Sequence, residues 1–119
     1  MFSKQVGHIS RRTALRNAVH APAADTAAVI TLAAAANTQH FINGVQWSYS
    51  TSPTAGRLTI TVNAVTVFDV SVTGSGPGGF NFAIPGGTNQ AIVITLAAGS
   101  GSCVGKINCQ YTSEPTGSE

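Results

Sequence analysis

Two aspartates inside the chain, three histidines, two cysteines and one glycine-rich run are the features of this sequence that could do chemistry. Acid–base catalysis needs two positioned groups whose surroundings push their pKa values apart. Asp25 and Asp69 have no carboxylate close to either in sequence, and Asp69 is out of phase with Phe68 and Val70, which puts it on the solvent side of a strand. His8, His20 and His40 lack metal-ligand spacing, and the first two fall on an N-terminal arm. His40 opens a strand beside a turn and is expected at the surface or at an interface. Serine is abundant, but no Gly-x-Ser-x-Gly elbow leads into a helix. Gly74-Ser75-Gly76-Pro77-Gly78-Gly79 imitates a phosphate cradle. No Lys-Thr or Lys-Ser follows it, however, and it runs into a strand, so the helix N-terminus that would bind phosphate is missing. Enzyme function is disfavoured on these grounds, and no catalytic residue, metal or cofactor is assigned.

Cys103 and Cys109 are the only cysteines. On one extended strand they would stand roughly 20 Å apart at ~3.3 Å per residue, beyond disulfide reach, and a bridge would require a hairpin at Gly105-Lys106. Two buried or partly buried free thiols are expected in a protein made in a reducing cytosol, and a zinc site lacks its other two ligands. Trp47 and Tyr49 share one face of a strand and are expected as core and rim of the fold. Were that face exposed, they would instead form a platform for a carbohydrate.

The elements that carry these residues are strands. Val29-Ile30-Thr31-Leu32-Ala33-Ala34 recurs as Val93-Ile94-Thr95-Leu96-Ala97-Ala98. Four alanines at 33–36 invite a helix, but the second copy runs into Ala97-Ala98-Gly99-Ser100-Gly101, which a helix would not tolerate. Strands are expected over residues 27–34, with Ile30 and Leu32 inward, and over 40–51, with Phe41, Val45, Trp47 and Tyr49 on one face and a bulge at Gly44. Leu58, Ile60 and Val62 alternate in the next strand. A two-residue turn at Asn63-Ala64 returns it as Val65 to Thr73, with Phe68, Val70 and Val72 inward. Phe80, Phe82 and Ile84 alternate before Pro85-Gly86-Gly87, and Ile92, Ile94 and Leu96 face inward in the second repeat copy. Ile107, Cys109 and Tyr111 do so in a last strand from about residue 104 to 112. About seven strands with hardly any helix make an all-β fold, a single antiparallel β-sandwich. The long return between the repeat copies favours a jelly-roll-like order over an immunoglobulin one, whose Cys-Trp-Cys spacing is absent.

The chain divides into a basic arm (1–24), the sandwich (25–113) and a polar tail (114–119). Charged residues make up only 8% of the 119 residues, against about 25% in ordinary soluble domains. Residues 1–20 hold Lys4, Arg11, Arg12 and Arg16 without an acidic residue, so a chain of net charge +2 leaves −2 on the remainder. Arg16, His20 and Pro22 interrupt every candidate h-region of a secretory signal, and no stretch is long enough for a membrane-spanning helix. The arm is expected to be extended or to form a short helix over 11–19, capped by Ser10, with Leu15, Ala18 and Val19 on one stripe. Lys4, Arg11, Arg12, Leu15 and Arg16 are its candidate contacts with a neighbouring subunit. A few basic residues without interleaved aromatics give only weak phosphate attraction, so nucleic acid is not the expected partner.

Ala21-Pro22-Ala23-Ala24, the Val29 repeat copy, Val45-Gln46-Trp47-Ser48-Tyr49-Ser50, Pro53-Thr54-Ala55-Gly56-Arg57-Leu58, Val67-Phe68-Asp69-Val70, Gly76-Pro77-Gly78 and the stretches Leu96–Gly99 and Gly105–Asn108 follow one another in an order that resembles small β-sandwich virion proteins of tailed bacteriophages and prophages. The resemblance spans roughly residues 21–112 and carries no functional residue across. It implies a non-enzymatic capsid decoration or cement protein, assembled in the host cytoplasm into the virion. Its partners would be the major capsid protein or other virion subunits, and it would often be a homotrimer. The competing reading is a carbohydrate- or receptor-binding module of a phage fibre or tail.

Overall fold

The computed structural model describes residues 14–116, all strand, turn and loop. Nine strands follow in chain order: β1 (Arg16–His20), β2 (Ala28–Leu32), β3 (Thr38–Tyr49), β4 (Gly56–Val62), β5 (Val65–Val72), β6 (Gly78–Phe80), β7 (Ile84–Pro85), β8 (Ile92–Leu96) and β9 (Gly105–Pro115). One sheet has the order β1-β9-β3-β6, with β7 also on β3, and the other has β2-β8-β4-β5. Every pairing is antiparallel. With β6 and β7 taken as one interrupted strand, this is the eight-strand winding of a jelly roll. The fold is the single antiparallel sandwich that the strand pattern predicts.

The doubled segment has a more specific role than the repeat alone suggested. β2 and β8 are hydrogen-bonded neighbours, with Ile30 opposite Ile94, Val29 opposite Thr95 and Thr31 opposite Val93. A local two-fold axis therefore passes between the two isoleucines and maps one copy onto the other. Ala28, Ile30 and Leu32 point into the core from β2, and Ile92, Ile94 and Leu96 from β8. Leu58 and Ile60 of β4 and Ile107 and Cys109 of β9 complete its centre, all fully buried.

Three points that the sequence pattern left open or misplaced have local causes. Residues 16–20 take the extended alternative and not the helical one: β1 lies on β9 with Arg16 opposite Tyr111 and His20 opposite Ile107. A marginal isolated helix is worth less than the ladder hydrogen bonds that β9 offers. The bulge in β3 sits at Asn43, the residue before the expected glycine, between Ile42 paired with Tyr111 and Gly44 paired with Gln110. It shifts the phase of the strand, so that His40 and Ile42 face inward before it and Val45 and Tyr49 after it, while Phe41 falls on the opposite face. The aromatic run of residues 80–84 is not one strand. Phe80 ends β6, Ile84 starts β7, and Phe82 between them is 52% exposed.

The β4–β5 hairpin closes through Asn63 at φ 50° and Ala64 at φ 67°, the two left-handed residues of a type I′ turn. Asparagine tolerates this region and alanine does not. Ala64→Gly is therefore expected to stabilise the protein by about 1 kcal/mol, read as a higher midpoint in chemical denaturation. An unchanged or lower midpoint would mean that the turn is not strained.

Candidate functional site

The described residues hold six charged side chains, namely Arg16, Asp25, Arg57, Asp69, Lys106 and Glu114. Two of these are spent on each other: Arg57 Nε and Nη2 donate to the two oxygens of Asp69 at 2.8 and 2.6 Å across the outer face of β4 and β5. The guanidinium's hydrogen bonds hold the Asp69 carboxyl below its usual range. Asp69 is exposed, as its phase predicted.

What surrounds that pair is a face without charge. On the outer side of the β2-β8-β4 ladder, Val29, Thr95 and Thr59 form one cross-strand row and Thr31, Val93 and Thr61 the next. The two repeat copies supply four of these six positions, and alternation fixes all of them outward because their neighbours fill the core. Val65 and Val67, 63% and 49% exposed, extend the apolar character at the β5 edge. Valine and threonine are stiff at χ1, so such a surface loses little side-chain freedom when another surface covers it.

The outer side of the opposite sheet is polar by amide. Gln46 Nε2 donates to Gln110 Oε1 at 2.8 Å and Gln110 Nε2 returns the bond to Gln46 Oε1 at 2.9 Å. Each amide keeps one N–H and one oxygen lone pair free. Beside this pair an open cleft of about 320 Å³ is lined by Gln46, Gly79, Phe80 and Asn81. A Cβ at Gly79 would stand 2.8 Å from the Val45 carbonyl oxygen and 3.2 Å from Gln46 Cγ, so only glycine leaves this wall of the cleft bare.

Trp47 and Tyr49 lie on the inner side of this sheet. Tyr49 is buried and donates its hydroxyl to the Ala97 carbonyl at 2.7 Å, with Trp47 packed against the core. Burial raises the Tyr49 pKa. Gly78 fits against the indole so closely that a Cβ there would come within 2.7 Å of Nε1. Core and rim is thus the correct reading of the two aromatics, and the platform that a sugar would need at these positions is not presented to solvent.

His40 is the main correction among the titratable residues. It is 7% exposed, not superficial, because the bulge at Asn43 puts it in phase with Ile42. Its Nε2 is 2.8 Å from the Ala33 carbonyl and its Nδ1 2.7 Å from Ser113 Oγ. A carbonyl can only accept, so Nε2 carries a proton. In the neutral ring Nδ1 then accepts from the Ser113 hydroxyl. This histidine–serine contact has the reach of an activated nucleophile, but the ring is held by a carbonyl where a catalytic pair would place a carboxylate. Its chemistry is that of a cross-link between β3, β9 and the end of β2. Among the described residues no three of His, Cys, Asp and Glu come together as a metal site. Cys103 and Cys109 are both buried and unpaired, and burial pushes the Cys109 thiol up to about 11.

Of the arm residues singled out by sequence, Lys4, Arg11 and Arg12 lie outside the described residues. Leu15 is 59% exposed, and Arg16 opens β1 with its side chain in solvent. Val19, 71% exposed, lies on the outer surface of β1, whereas Arg16 alternates onto the side of Ala18 and His20. His20 has a role that its sequence context did not reveal: its Nδ1 accepts from the backbone N–H of Val29 at 2.9 Å, so the end of β1 caps the free edge of β2.

No protein-family model and no curated protein matches the sequence. Among solved structures, the chain is similar to one in the acid-stable capsid of Helicobacter pylori bacteriophage KHP30. The TM-score is 0.58 at 9% identity, over 85% of this chain and 89% of that one. It is also similar to the nucleoplasmin-like N-terminal domain of Drosophila FKBP39, with a TM-score of 0.50 at 9% identity, over 91% and 96% of the two chains. A CBM36 domain of a xylanase from the hindgut metagenome of Trinervitermes trinervoides aligns more loosely, with a TM-score of 0.45 at 12% identity, over 87% and 100%. At these identities the likeness is one of fold alone.

Proposed function

We propose that this protein is a non-enzymatic structural subunit of a bacteriophage virion, a decoration or cement protein that binds the head lattice and stabilises it. The observation that carries the reading is the Val/Thr patch of β2, β8 and β4, with Val29, Thr31, Thr59, Thr61, Val93 and Thr95 in two uncharged rows beside the mutually paired Arg57 and Asp69. A surface of this kind can be covered without stripping water from an ion, and its stiff side chains give up little entropy. It is also small, four short strands wide at most. Such a contact is weak for one copy and becomes effective when many copies share a lattice. The sequence resemblance to phage β-sandwich proteins and the shared fold with a phage capsid chain support the same assignment.

Co-sedimentation tests it. Thr31 is exposed at the edge of the face. Thr31→Arg is expected to leave the unfolding midpoint within about 2 °C of the parent, as surface substitutions do, and to abolish co-sedimentation with phage heads lacking the protein. Undiminished binding of this variant would remove the Val/Thr face from the account.

One observation favours a second reading, a module that binds a neutral carbohydrate. The cleft beside Gln46 offers free amide groups with no charged side chain among its lining residues. A glycan array with the native chain and with Gln46→Ala distinguishes the two readings, since only the second requires glycan binding that Gln46→Ala destroys.

A further inference from the structure

A jelly-roll sandwich has four sheet edges, and each is a row of unpaired backbone groups that invites another strand unless something blocks it. Three of the four are blocked here. The β6–β7 edge is broken into strands of three and two residues with an interruption between them. The β5 edge is kinked by a bulge: Ile60 pairs with Phe68 and Thr61 with Thr66, so Val67 is the extra residue, and Asp69 follows it. The β2 edge has the Val29 N–H already occupied by His20 Nδ1. The fourth edge is β1, which no strand or cap covers among the described residues. Its five residues pair with β9 in unbroken register. No proline or bulge interrupts it, and its outer surface shows Val19 at 71% and the preceding Leu15 at 59% exposure.

We infer that β1 is an assembly edge, and that its occupant is β1 of a second copy of this chain, paired antiparallel about a two-fold axis so that the β1-β9-β3 sheets of two molecules become one. The inference rests on the reading of this protein as an assembly subunit and names one of its contacts. Charge selects the partner and the direction. β1 carries a single formal charge, Arg16 at its first position. In an antiparallel pair centred on Ala18 the two Arg16 side chains stand at opposite ends, about 14 Å apart at ~3.4 Å per residue and beyond the screening length at physiological salt. A parallel pair would set them about 5 Å apart. Antiparallel pairing also places Asn17 opposite Val19 of the second copy, so the exposed apolar residue is covered by an uncharged one. A two-fold contact uses one patch twice and closes at two copies, not at the three that the phage resemblance implies.

The contact is small and hence weak, so light scattering on the full chain is read from about 0.01 to about 1 mM. The weight-average mass is expected to rise from one chain of 12.1 kDa towards two. Val19→Lys and Asn17→Lys, each adding a charge on the open edge, should hold the mass at one chain throughout with a cooperative unfolding transition like the parent's. Thr31→Lys, on the face proposed to meet the lattice, should dimerise as the native chain does. A native chain that stays at one copy, one that reaches three, or a dimer that survives both edge variants overturns the inference. None of these outcomes bears on co-sedimentation with phage heads, which reads the lattice contact separately.

Discussion

Ile94→Ala is expected to cost about 4 kcal/mol of unfolding free energy, while Ile30→Ala, the same substitution at the equivalent position of the other repeat copy, costs about 2–3 kcal/mol. The two residues face each other across the local two-fold axis, yet their surroundings differ. Ile94 sits on β8 between β2 and β4, opposite both Ile30 and Ile60, and is fully buried. Ile30 sits on an edge strand at 6% exposure, where neighbours can move in and water can enter. The cavity left by Ile94 has packed strands on both sides and cannot collapse as readily. Urea denaturation of the two variants measures the difference. Equal costs would mean that the core treats the copies as interchangeable and that the sheet order described here is wrong.

His40→Ala is expected to be the most damaging change at a polar residue, at about 3 kcal/mol. It leaves the Ala33 carbonyl and the Ser113 hydroxyl without their partner in a partly buried site and opens a cavity where the buried ring stood. Adding Ser113→Ala should recover part of that loss, because one of the two orphaned groups is then removed. A double-mutant cycle gives the coupling between the residues, expected at about 1 kcal/mol for groups in direct contact. A coupling of zero, or a His40→Ala protein as stable as its parent, would place His40 at the surface after all.

These two predictions mark where the sequence was readable and where it was not. The alternation at Leu58-Ile60, Phe68-Val70-Val72 and Ile92-Ile94-Leu96 sets one inward face per strand, and the structure follows it residue by residue. The Asn63-Ala64 turn was visible because the apolar runs that end at Val62 and begin at Val65 leave room for nothing longer. Phase failed where a bulge intervened. One extra residue at Asn43 inverts every assignment before it, which is why His40 was expected outside and Phe41 inside. Glycine at 44 signalled the irregularity, but the sequence did not say on which side of it the phase would change. Residues 16–20 were left open between an extended arm and a helix for a different reason. Their helical stripe of Leu15, Ala18 and Val19 is real, but a helix there has no surface to pack on, whereas β9 presents an open ladder. Pairing between the repeat copies was invisible, since identity of sequence says nothing about adjacency in a sheet. The surfaces proposed for function share that property. The Val/Thr face and the cleft at Gln46 are made by cross-strand register, and no single strand contains either.

The central claim is that this chain belongs to a virion. Mass spectrometry of density-gradient-purified particles, quantified against the major capsid protein, tests it most directly. The account predicts that the chain is present in many copies and remains with the particle through the gradient. Particles devoid of it would contradict the claim, whatever the purified protein does alone.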